Sequence, residues 1–75
     1  MKIEFSKHAL DQLKERPRIT WEMVVGTIEN PNETLESYKG RRLFRKAFQN
    51  EVLEVVTIEE SGKIIVITEY LLEKL

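Results

Sequence analysis

The residues able to do chemistry in this chain are few: one histidine (His8), two tyrosines (Tyr38 and Tyr70) and a dense run of cations at Arg41, Arg42, Arg45 and Lys46. There is no cysteine, so neither disulfides nor thiolate metal sites are available, and one histidine makes a zinc site improbable. The three glycines, Gly26, Gly40 and Gly62, make no phosphate-cradling loop. No metal and no cofactor are therefore expected. His8 is the side chain that titrates near neutral pH without help. It suits a general base or a phosphate contact at the first turn of a helix, where free amides favour anions. It equally suits a surface residue that fixes the helix start.

The cation run, from Tyr38 to Lys46, contains five basic residues and no acid. Aromatics interleaved with cations are what single-stranded RNA binding uses, through stacking and phosphate contacts. The competing reading is a charged edge strand that resists pairing with other sheets. In that reading its cations meet Glu36, Glu51 or Glu54 across neighbouring strands. Arg16 can hold a phosphate, or it can hold helix carbonyls or a carboxylate of the sheet.

These groups depend on the elements that carry them. Lys2 to Phe5 alternates and suits a short edge strand. Ser6 reads as an N-cap, followed by a helix over 7–16 whose Ala9, Leu10 and Leu13 share one stripe. On that helix His8 lies about 140° from the stripe centre and Arg16 about 60°. Pro17 stops the helix, because the residue before a proline is pushed out of helical conformation. Thr20 caps a second helix with Trp21, Val24, Val25 and Ile28 on one face, which makes Trp21 a core residue; Asn30-Pro31 ends it. The period then changes to two. Strands are expected over 34–38, 42–48, 52–58 and 63–70, with turns at Lys39-Gly40, Gln49-Asn50 and Glu60-Ser61-Gly62. On the second of these, Phe44, Lys46 and Phe48 face one way and Leu43, Arg45 and Ala47 the other. The run Ile64-Ile65-Val66-Ile67 is apolar on both faces and reads as central. For the tail, Leu71–Leu75, fraying and a short helical turn stay open. The expected fold is α+β: two N-terminal helices packed on one face of an antiparallel meander of about four strands, with an extra N-terminal edge strand as an option.

Seventy-five residues make one small domain, marginal alone, so a partner or a homodimer is expected. Twelve basic against thirteen acidic side chains give a net charge of −1, which sets the chain apart from strongly basic nucleic-acid binders. No apolar run approaches a membrane span and no secretory pattern opens the chain, so a cytoplasmic protein with no membrane partner is expected.

The opening Phe5-Ser6-Lys7-His8-Ala9-Leu10, with Leu13 four residues after Ala9 and Arg16 three further on, resembles a family of small, mostly uncharacterised prokaryotic proteins. Asn30-Pro31, Gly40-Arg41 and Val66-Ile67-Thr68 extend the resemblance over nearly the whole chain, with Pro17 standing where that pattern usually has Gly. In layout this family is similar to the RelE/ParE superfamily of toxin–antitoxin toxins, and to BrnT toxins in particular. The resemblance implies one RelE/BrnT-like domain over residues 1–75, an antitoxin partner and, for the RelE and BrnT branches, metal-independent cleavage of RNA, including ribosome-bound mRNA. Such cleavage needs a base for the 2′-hydroxyl, cations for the phosphorane charge and an acid for the 5′-oxygen. His8, Arg45 and Tyr70 are the expected catalytic residues, and Arg16, Arg41, Arg42 and Lys46 the expected RNA contacts. Tyr70 ends the last strand, where RelE-like toxins tend to place such groups; its other reading is an aromatic at the core rim. The expected function is thus a toxin that binds RNA and cleaves it as an endoribonuclease. The alternative is a protein-binding module without nuclease activity, either a ParE-like inhibitor or an inactive fold relative.

Overall fold

A computed structural model describes residues 2–73, with the side chain of residue 73 left aside. The chain runs β1 (Lys2–Phe5), α1 (Lys7–Glu15), α2 (Trp21–Glu29), β2 (Glu33–Glu36), a 3-10 turn (Tyr38–Gly40), β3 (Arg41–Phe48), β4 (Glu51–Glu60) and β5 (Lys63–Glu73). Both helices start where a side-chain oxygen replaces a missing backbone partner. Ser6 accepts from the Ala9 amide and Thr20 from the Met23 amide, each at 3.1 Å. α1 stops one residue short of Arg16, which leaves the helical region ahead of Pro17. Ser61 and Gly62 both have positive φ, 52° and 76°, as a two-residue hairpin that matches the strand twist requires.

The sheet corrects the expected architecture. It has five strands in the order β1-β5-β4-β3-β2 and it is mixed. β2, β3, β4 and β5 are antiparallel neighbours, but β1 pairs parallel to β5, with Ile3 beside Ile64 and Phe5 beside Val66. A four-strand antiparallel meander does not describe it. Alternation has the same period in either direction, so it carries no information on strand polarity. Polarity is decided by where α1 leads the chain after Phe5. The tail of β5 is strand through Glu73, and residues 74 and 75 lie outside the described residues. The strand whose consecutive residues are all buried in mid-course is β4, over Leu53–Thr57, at the centre of the sheet.

α1 packs on β5 and β1, and α2 on β4 and β3. Ala9, Ile19, Val24 and Ile28 meet Phe44, Leu53, Val55, Ile64 and Val66 in one core. Trp21 is not in it: it is 56% exposed, as the first residue of α2, while Val24, Thr27 and Ile28 turn inward. Leu10, at the edge of the α1 stripe, is also exposed. No described helix is long and apolar enough to cross a membrane.

One irregularity sets the facing of the second half of β5. The β4–β5 register shifts at Val56/Thr57: Val66 sits opposite Thr57 and Thr68 opposite Val56, so Ile67 is the extra residue of a β-bulge. Before the bulge, Ile64 and Val66 face the helices; after it, Glu69 and Leu71 are opposite the core residues Val55 and Leu53. The alternation of β5 is reversed, and Tyr70 is delivered to the face the helices do not cover.

Candidate functional site

On that uncovered face, register lines up Glu33 of β2, Arg45 of β3, Glu54 of β4 and Tyr70 of β5 in one row. The row is connected. Arg45 Nε donates to Glu54 Oε1 at 2.6 Å, and its Nη1 donates to Glu33 Oε1 at 3.2 Å. The Tyr70 hydroxyl donates to Glu54 Oε2. The Glu54 side chain is only 4% exposed, against 32% for Arg45. A carboxylate so removed from water requires charged or hydrogen-bonding partners, and here it has both. The Arg45 guanidinium is held above its ordinary pKa by the hydrogen bond to Glu54, with the Glu33 carboxylate adding to the effect.

Of the three residues expected to be catalytic, Arg45 and Tyr70 therefore meet on a shared carboxylate. His8 does not join them. It is exposed on the first turn of α1, about 12 Å along the helix axis from Arg16 at the other end. Glu54 was not among the expected site residues. As a sequence position it is one acid facing the cation run, and nothing local distinguishes it from Glu51 or Glu59.

The four residues expected to contact RNA are dispersed. Arg42 donates from Nε to Glu36 Oε1 at 2.8 Å and lies 3.9 Å from Glu59. Lys46 points to the helix side and donates from Nζ to the carbonyl of Asn30 at 2.9 Å, a cation on the C-terminal end of α2. Arg16 donates from Nη1 to the main-chain carbonyl of Glu69 at 2.7 Å. That bond, together with Ser6 Oγ to the Ile67 carbonyl and the Gln12–Thr68 side-chain contact, ties α1 to the part of β5 that β1 no longer pairs. Arg41, at the start of β3, has no carboxylate partner among the described residues.

A groove of about 520 Å³ adjoins the row where the α1–α2 connection passes over the end of the sheet. Arg16, Pro17, Arg18, Ile19, Tyr70 and Leu71 line most of it, and Arg18 forms an ion pair with Glu51 across it. Tyr70 belongs to both features: it lines the groove, and its hydroxyl reaches the row. No group of three or more His, Cys, Asp or Glu side chains among the described residues is placed to hold a metal ion.

The row can hold and move a proton. Glu54 is a carboxylate able to accept a proton, Tyr70 a phenol able to give one, and Arg45 a cation held beside them. Comparison with curated proteins and with solved structures finds no match to the chain. A family model described as a domain of unknown function (DUF4258) matches residues 5–70, and the chain belongs to that family.

Proposed function

We propose that this chain is a toxin-type protein that binds RNA and cleaves it without a metal ion, acting through Arg45, Glu54 and Tyr70. The observation that carries the reading is the connected row of cation, carboxylate and phenol on a sheet face that no helix covers. A phosphate replaces Glu33, the exposed partner of Arg45, and receives the guanidinium. Glu54 takes the proton of the 2′-hydroxyl as that oxygen bonds to phosphorus. The bond from phosphorus to the 5′-oxygen breaks, and Tyr70 protonates the departing oxygen. A 2′,3′-cyclic phosphate and a free 5′-hydroxyl result. The proton on Glu54 then returns to the Tyr70 phenolate along their hydrogen bond, which restores the site. In this reading His8 has no part in the chemistry, and an antitoxin protein occupies the uncovered face when the toxin is silent.

The test is cleavage of a defined single-stranded RNA in EDTA, with and without ribosomes, by the purified chain and its Tyr70→Phe and Glu54→Gln variants. The expected result is a cyclic phosphate end and a loss of about 100-fold or more in each variant. Absence of cleavage under both conditions, or full activity in Tyr70→Phe, refutes the reading.

The protein-binding alternative rests on a different observation. Arg42 and Arg45 each face two carboxylates, so the cation run offers little free charge to a polyanion. Retention on immobilised RNA separates the two. Retention that falls steeply with salt fits phosphate binding, and no retention even at low salt favours the protein module.

A further inference from the structure

The bulge that turns Tyr70 outward turns Glu69 inward. Glu69 is fully buried, and neither carboxylate oxygen has a hydrogen-bond partner. An ionised carboxylate in that position is removed from water and has no hydrogen-bond donor on its oxygens, and the nearby Arg16 guanidinium is spent on a main-chain carbonyl, so the charged form is disfavoured. The groups around it are few. β4 places Val55 directly opposite, with Leu53 and Thr57 on the same face, while Glu54 points to the other side. α2 turns Val24, Thr27 and Ile28 inward, none of them titratable. On β3, Lys46 shares the helix-side face but is committed to the Asn30 carbonyl. At the end of α1, Lys14 and Glu15 are exposed. Arg16 is the cation that acts on Glu69, and it already holds the carbonyl of that same residue.

We propose that Glu69 and Arg16 form a proton-operated latch between the end of α1 and β5. While Glu69 carries its proton, the side chain lies neutral against Val55 and Arg16 stays on the Glu69 carbonyl at the mouth of the groove. When Glu69 loses the proton, the carboxylate draws the Arg16 guanidinium onto itself. The last turn of α1 moves with it, and the groove beside Tyr70 gives up one of its two arginines. Burial holds the Glu69 carboxyl up at about 7, so the exchange falls within the range a cell can reach. The latch does not depend on the RNA-cleaving reading, and its test uses no RNA.

The test is a pH titration by NMR of the Glu69 side-chain carboxyl carbon and the Arg16 guanidinium in the full chain. Expected is a Glu69 midpoint near 7 and an Arg16 shift with the same midpoint. In Glu69→Gln, which keeps shape and neutrality, the Arg16 shift should vanish and Arg16 should stay in its acid-form environment at every pH. A second variant, Arg16→Met, should raise the Glu69 midpoint further, because the one stabilising cation is gone. A Glu69 midpoint near the ordinary glutamate value, or an Arg16 signal that does not track Glu69, overturns the latch.

Discussion

The Arg45–Glu54 pair makes an asymmetric prediction that can be worked from burial alone. In Arg45→Met, the Glu54 carboxylate stays almost fully buried with Tyr70 as its remaining partner. Leaving a buried charge unpaired costs about 3–5 kcal/mol. In Glu54→Gln, Arg45 loses a charge partner but remains one-third exposed, keeps Glu33 and can turn to water. The amide still accepts from Tyr70, so the cost should be about 1–2 kcal/mol. A domain of this length has only about 4–11 kcal/mol in total, so Arg45→Met should bring it close to unfolding. The assay is urea denaturation of each variant and the parent at pH 8. With a slope of about 1 kcal/mol/M, Arg45→Met should lower the midpoint by about 3–5 M and Glu54→Gln by about 1–2 M. Equal costs for the two substitutions would refute the claim that Glu54 depends on Arg45.

Single features elsewhere in the fold set further expectations. The folded-state pKa of Glu69 is raised from 4.5 to about 7, so the native state holds a proton that the unfolded chain has already released. Its stabilising proton is fully present below pH 4.5 and lost as pH rises through 7, a loss of about 3 kcal/mol. Glu69→Gln should remove that slope in denaturation curves taken between pH 4.5 and 8; a variant with the parent's slope would show that Glu69 ionises freely. Deletion of Ile67 should remove the bulge yet keep Tyr70 opposite Glu54 on the uncovered face, because Thr68 then follows Val66 in regular alternation. Tyr70→Phe should therefore cost about 1–3 kcal/mol in that background as in the parent, by thermal or urea unfolding; no cost after the deletion would show that the Tyr70–Glu54 register is lost. Glu33→Gln should raise retention on immobilised RNA by freeing Arg45. Its effect on stability should stay within about 0.5 kcal/mol, because the Glu33 end of the pair is solvent-exposed. Trp21→Ala should cost less than Val24→Ala in the same unfolding assay, since Trp21 is largely exposed and Val24 is buried.

What was legible in the linear chain is what short-range physics decides. Ser6 and Thr20 cap helices because the oxygen and the orphan amide lie three residues apart. Pro17 ends α1 by a clash with its immediate neighbour. The facing of Phe44, Lys46 and Phe48 against Leu43 and Arg45 comes from the pleat alone, and the structure keeps it. Tertiary structure decided the rest. The parallel pairing of β1 to β5 joins residues some sixty positions apart, a distance over which alternation says nothing about direction. Trp21 shares a helical stripe with Val24 but lies outside the core cluster, so its periodicity was misleading. The bulge at Ile67 was invisible because Ile64, Ile65, Val66 and Ile67 are alike in apolarity, so no residue marks the extra one. Yet the skip in pairing at that residue sends Tyr70 to the open face and Glu69 to the core. Glu54 likewise became a site residue only through register, which set it between Arg45 and Tyr70. Sequence supplies the chemical groups and their local facing; which of them meet is fixed by strand pairing, because hydrogen-bond registry, not chain proximity, sets their distances.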